Sequence, residues 1–156
     1  MELPEPFRRA VVALESAGVQ YFITGSLASM YWGKVRTTEG MDVVAALSLR
    51  DVGTIASAFP PSDYYVDQRT IGAAIEQGGQ FNIIHLPTAF KVDVIQMEST
   101  PFAELCMTRR VRADIACPAT WIASPEEIIL NKVKFFELGG SEKHINDIAW
   151  IVQVRG

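Results

Sequence analysis

At 156 residues and 49% hydrophobic content, the chain is of single-domain length and can bury a sizeable core, which excludes disorder. A formal net charge of −4 excludes broad, non-specific nucleic-acid binding, which an excess of Lys and Arg drives, although a local basic patch escapes that average. The two cysteines, Cys106 and Cys117, stand in no zinc or C-x-x-C spacing, so neither a disulfide framework nor structural zinc is expected.

Apolar periodicity and punctuation alternate between helix and strand along the chain. Residues 4–18 carry Phe7, Val11, Val12 and Leu14 at helical spacing and stop at Gly18, predicting a first helix. Residues 21–24 read as a short strand that opens at Gly25-Ser26 into a second helix ending near Gly33, and residues 41–46 as a buried strand. Ser48 with Asp51 three residues on resembles a capping box for a helix reaching Phe59, broken by Pro60-Pro61. After Tyr64-Tyr65-Val66, Asp67 is a candidate N-cap for a helix to Gln77, and Gly78-Gly79 turns the chain into strands 81–86 and 90–96, an antiparallel pair.

Thr100-Pro101 then starts a short helix, and residues 109–115 and 120–122 read as strands. Ser124-Pro125-Glu126-Glu127 states a helix start: Ser124 as N-cap, Pro125 at the first helical position, Glu127 as the returning partner of a capping box. That helix carries Ile128, Ile129, Val133 and Phe136, ends at Gly139-Gly140, and is followed by a helix capped by Ser141 with Ile145, Ile148 and Ile151. The expected fold class is α+β (mixed α/β), a mixed sheet flanked by helices with two C-terminal helices closing a cleft. One domain is expected over 1–156, with a core over 1–98 and a C-terminal strand and helical part over 99–156. The first six residues lack the apolar core of a signal peptide and no run approaches the ~18 apolar residues of a membrane span, so a cytoplasmic protein with no membrane partner is expected.

The candidate chemistry lies in 25–42 and 90–95. Gly-Ser after a strand and before a helix leaves unpaired N–H groups and a positive dipole end that suit a phosphate; it equally fits a tight turn with Ser26 capping the helix. Asp42 and Asp93 are carboxylates inside apolar strands, costly unless paired or bound to metal. Strand alternation turns positions 40 and 42 to one side, and Glu39 and Met41 to the other, so Glu39 reaches the site only if a bulge re-aims it. Arg36 can clamp a phosphate or pair with Glu39, and Lys132 can reach a phosphate or be solvated. The run Thr108-Arg109-Arg110-Val111-Arg112 fits an exposed strand or contact with an acidic acceptor. His85 reads as a hydrogen-bonded core or edge histidine, and Trp32, Trp121 and Trp150 as packing residues.

Taken in order, Thr24-Gly25-Ser26, Arg36-Thr37-Thr38, Asp42, Phe81–His85, Lys91-Val92-Asp93-Val94 and the helix from Ser124 to Lys132 resemble a small bacterial nucleotidyltransferase-fold protein. The similar groups are the minimal nucleotidyltransferases and the nucleotidyltransferase-like toxins of abortive-infection systems. The family pattern, Arg-x-Thr-x-Asp-x-Asp with a third Asp on a later strand, departs here at one position: Gly40 stands where the first carboxylate belongs. The resemblance implies Mg²⁺-dependent transfer of a nucleoside monophosphate from an NTP to a hydroxyl on a small molecule, protein or RNA end. It implies Asp42 and Asp93 as catalytic metal ligands, with Glu39 as a further candidate ligand, and Gly25, Ser26, Arg36 and Lys132 as nucleotide- and phosphate-binding residues. Gly40 leaves open the alternative of a catalytically inactive nucleotide- or partner-binding module of the same fold.

Overall fold

The structure, a computed structural model, describes residues 2–115, 119–139 and 142–155. The predicted N-cap Ser141, Gly140 and Cys117 lie outside the described residues. In chain order the elements are α1 (Glu5–Ser16), β1 (Tyr21–Thr24), α2 (Gly25–Trp32), β2 (Gly40–Ala45), a 3₁₀ turn (Leu49–Asp51) running into α3 (Val52–Ser57), β3 (Tyr64–Tyr65), α4 (Gln68–Gln77), β4 (Gln80–His85) and β5 (Lys91–Gln96). Then follow α5 (Pro101–Arg109), β6 (Val111–Ala113), β7 (Thr120–Ile122), α6 (Pro125–Gly139) and α7 (Glu142–Arg155).

Local chemistry sets most of these boundaries. The Asp51 carboxylate accepts from the Ser48 N–H at 2.8 Å, the Asp67 side chain from the Arg69 N–H at 2.9 Å, and the Thr100 hydroxyl from the Ala103 N–H at 3.1 Å, each satisfying an orphan donor at a helix start. At α6 the expected capping box forms by half. The Ser124 hydroxyl accepts from the Glu127 N–H at 3.2 Å, but the Glu127 carboxylate turns inward, where it meets Cys106 and accepts weakly from Asn131 Nδ2 at 3.5 Å. The strand expected over 109–115 shrinks to three residues: Arg109 closes α5, and Arg110 sends its guanidinium to the Tyr21 carbonyl at 3.0 Å.

Among the described residues the seven strands form one mixed sheet in the order β3-β4-β5-β2-β1-β7-β6. β2 runs antiparallel to β1 and parallel to β5, and β4 runs antiparallel to β5. Register then decides which side chains share a face. Ile23, Val43, Val94 and Phe81 line up across four strands on one face, beside Met41 and Val92, and all are buried. Phe7 and Val11 of α1, Ile55 of α3 and Ile71 of α4 complete the core. The opposite face carries a polar row in register: Thr24, Asp42, Asp93 and Asn82. Here α6 and α7 pack on each other and on α2, and α6 walls a cleft over the sheet. Ile128 and Ile151 are buried as expected, whereas Val133, Ile145 and Trp150 are exposed. Among the described residues no helix is long and apolar enough to cross a membrane.

Candidate functional site

Asp42 and Asp93 come together because β2 and β5 are parallel neighbours with these two residues in register. Their carboxyl groups stand side by side on one face of the sheet and feel each other's charge. Burial, and then the neighbouring Asp93 carboxylate, push the Asp42 carboxyl above its ordinary pKa. Asp93 Oδ1 is buried without a hydrogen bond, and Lys91 Nζ lies 3.6 Å from it. A carboxyl pair of this kind is stabilised by a shared proton or by a cation.

Gly25 fits its position for two independent reasons. Its φ of +65° lies in the left-handed region, and a Cβ there would overlap the Asp42 carboxylate, coming 3.0 Å from Cγ. The turn therefore brings the start of α2 against Asp42. Thr24 is the N-cap residue, with no side-chain cap, so the first-turn N–H groups remain for an anion. Ser26 lies inside the first turn of α2 and is not its cap.

The cleft, about 490 Å³, is lined by Gly25, Asp42, Gln80, Glu98 and Ile128 among others, and by Lys132. Glu127, Ile128, Asn131 and Lys132 reach it together because positions i, i+1, i+4 and i+5 share one face of α6. Lys132 is 5% exposed, so the solvated alternative is wrong: it pairs with Asp147 of α7, Nζ to Oδ2 at 3.1 Å. Arg36 pairs with the same Asp147 oxygen at 3.4 Å rather than with Glu39, and the same guanidinium nitrogen donates to the Ser26 hydroxyl at 3.4 Å. Glu39 is exposed and shares the strand parity of Met41, which is buried on the opposite face. Asp93 adjoins the cleft through Asp42, while Ser26 and Arg36 belong to a polar chain that ends on Lys132.

Two contributors escaped sequence reasoning: Glu98 follows the end of β5 with no local signal, and Glu127 looked like a capping residue. The resemblance also implies a polar pair, Asn146-Asp147, at the start of the closing helix's inner face; what no spacing showed is the pairing of Asp147 with Arg36, 111 residues away. The i, i+4 step from Glu127 to Asn131 is the sequence pattern that could have placed Glu127. The basic run has a structural role: the Arg110 and Arg112 guanidinium carbons lie 4.2 and 4.9 Å from the centre of the Trp121 ring, and Arg112 pairs with Glu15 at 2.7 Å. His85 Nδ1 shares a hydrogen bond with the Thr88 hydroxyl at 2.7 Å. Trp150 is more than packing, since Lys34 Nζ lies 4.6 Å from its ring centre.

No family model and no curated protein matches the chain. Among solved structures it is similar to an antigenic nucleotidyltransferase-like protein from Paracoccidioides brasiliensis, with a TM-score of 0.62 and 20% identity over 98% of this chain and 78% of that one. It is also similar to the lincosamide antibiotic adenylyltransferase LnuA in its lincomycin-bound form, with a TM-score of 0.62 and 11% identity over 99% of both chains. A third likeness is to ANT(2")-Ia in complex with adenylyl-2"-tobramycin, with a TM-score of 0.61 and 15% identity over 97% of this chain and 88% of that one. The fold is thus α+β and nucleotidyltransferase-like. At these identities the likeness speaks for the fold alone.

Proposed function

We propose that this chain binds an NTP with Mg²⁺ in the cleft and transfers its nucleoside monophosphate to a hydroxyl acceptor, at a rate held down by Gly40. The observation that carries this reading is the Asp42–Asp93 pair set against the Gly25 turn. Both carboxylates offer oxygen to a hard cation, and Asp93 Oδ1, buried without a hydrogen bond and with only the Lys91 ammonium 3.6 Å away, is an oxygen ligand available to one.

When bound, the divalent ion would neutralise phosphate charge and polarise the phosphoryl oxygen under attack. The first-turn N–H groups of α2 and the Ser26 hydroxyl hold phosphate oxygens, and Lys132 and Arg36 supply positive charge. The acceptor oxygen forms a bond to the α-phosphorus, the bond to the bridging oxygen breaks, and pyrophosphate leaves. Asp93 takes the hydroxyl proton. In this reading 1–156 is one domain, with the phosphate and carboxylate motifs in 1–98 and the closing strands and helices in 99–156. Lincomycin and adenylyl-2"-tobramycin, held by two of the similar structures, make small hydroxyl-bearing molecules the first acceptors to try, with RNA ends and proteins next.

Gly40 favours a second reading, a nucleotide- or partner-binding module that keeps the fold without the chemistry. Calorimetric titration with a non-hydrolysable ATP analogue tests the element that the enzyme and the nucleotide-binding module share. Binding that requires Mg²⁺ is expected, weakened by about 1.5–3 kcal/mol in Lys132→Ala, the range for a charged hydrogen bond. Absence of heat in excess Mg²⁺ would remove the nucleotide reading and leave partner binding as the default.

A further inference from the structure

We infer that Asp147, a residue with no contact to the cleft of its own, positions the two cations that receive the phosphates. The inference rests on the nucleotide reading above. One oxygen, Asp147 Oδ2, lies 3.1 Å from Lys132 Nζ and 3.4 Å from Arg36 Nη2, and Arg36 Nη2 also reaches Ser26 Oγ at 3.4 Å. A continuous polar chain, Ser26–Arg36–Asp147–Lys132, therefore links the first turn of α2, the segment before β2, α7 and α6. Its ends are a candidate phosphate hydroxyl and the lysine that lines the cleft beside Asp42. The central pair is enclosed, the Lys132 and Asp147 side chains being 7% and 12% exposed. One helical turn beyond Asp147, Lys34 rests over Trp150, so α7 is fastened to the same segment at a second point.

Geometry, more than charge, defines this role. Two cations on one carboxylate leave one surplus positive charge. If Asp147 merely balanced charge, its removal would raise that surplus and tighten anion binding. If it positions the cations, its removal frees two flexible side chains, and the binding of phosphate must then supply the entropy of ordering them. The two accounts predict opposite signs.

The test titrates wild type, Asp147→Asn, Asp147→Glu, Arg36→Gln and Arg36→Gln/Asp147→Asn with inorganic tripolyphosphate and with a non-hydrolysable ATP analogue in Mg²⁺. Folding is checked by circular dichroism at the titration temperature. Asp147→Glu keeps the charge but moves the oxygen by one methylene; we expect its affinity to fall about tenfold, within the range of coupling between residues of one ion-pair network. Arg36→Gln should cost much less in the Asp147→Asn background than in wild type, a coupling that general loosening of the fold would not produce. Should Asp147→Asn fail to fold, the same cycle run with Asp147→Glu decides. Tighter binding by Asp147→Asn, or unchanged binding by Asp147→Glu, would overturn the inference, as would wild type that binds neither probe. Wild type that binds tripolyphosphate but not the ATP analogue, with Asp147→Glu still weakened, would sink the nucleotide reading and leave the role of Asp147 as a positioner of phosphate-binding cations standing.

Discussion

Gly40→Asp is expected to raise Mg²⁺-dependent nucleotidyl transfer by about two orders of magnitude while lowering the stability of the metal-free protein. Position 40 shares the face of Asp42 on β2, and a Cβ there would meet only the Lys91 carbonyl oxygen, at 3.7 Å, so the new side chain has room. A third carboxylate provides ligands for a second ion, whose charge stabilisation is worth several kcal/mol; at ~1.4 kcal/mol per factor of ten, about 3 kcal/mol gives the stated gain. The same carboxylate adds repulsion to a pair in which Asp42 is already pushed up by burial and by Asp93. The melting temperature of Gly40→Asp should therefore fall without metal and recover with Mg²⁺, more than in wild type. Transfer assays on Gly40→Asp and on Gly40→Asp/Asp93→Asn provide the rate comparison. Wild-type transfer as fast as that of Gly40→Asp, and abolished by Glu39→Gln, would identify Glu39 as the third ligand and refute the strand geometry.

Gly25→Ala should be the most damaging single-atom addition near the site. Placing an L-residue in the left-handed region costs about 1–2 kcal/mol, and the overlap of the new Cβ with the Asp42 carboxylate adds to it, because backbone or carboxylate must shift. A total loss of about 3 kcal/mol is expected in urea denaturation, at the upper end of ordinary point substitutions. The displaced carboxylate should also abolish Mg²⁺-dependent nucleotide binding at temperatures where the variant remains folded. Gly40→Ala is the control, since its Cβ would make only an ordinary van der Waals contact, 3.7 Å from the Lys91 carbonyl oxygen. Equal stability of the two variants would show that the turn does not press on Asp42.

Much of the fold was legible because its signals are local. Asp67, Thr100 and Ser48 cap the helices that follow them through bonds to residues two or three positions away. Strand alternation likewise put Asp42 and the glycine at 40 on one face and Met41 on the other. The Asp42–Asp93 meeting was legible only through the resemblance, since spacing alone does not pair strands separated by α3, β3, α4 and β4.

What escaped the sequence depended on tertiary neighbours. Glu127 has the spacing of a capping partner, yet Cys106 of α5 and Asn131 of α6 draw its carboxylate inward, where burial raises its pKa. Cys106, pushed up to about 11 by burial and by Glu127, is a protonated partner in that contact. The pairing of Lys132 with Asp147 was not legible because nothing within its own helix turn announces Asp147. Trp150 and Lys34 find each other in the same way, across the junction of α7 with the segment after α2.

The Asp42–Asp93 pair and the Gly25 turn, if they carry the proposed nucleotidyl transfer, must label an acceptor in a metal-dependent way. The most direct measurement is transfer of label from α-³²P-labelled NTP to a panel of small hydroxyl acceptors, RNA ends and proteins, with Mg²⁺ present or chelated. The predicted result is slow, Mg²⁺-dependent labelling of one acceptor class by wild type, lost in Asp93→Asn at unchanged fold. Labelling that persists in Asp93→Asn, or that proceeds equally well in chelator, would contradict it.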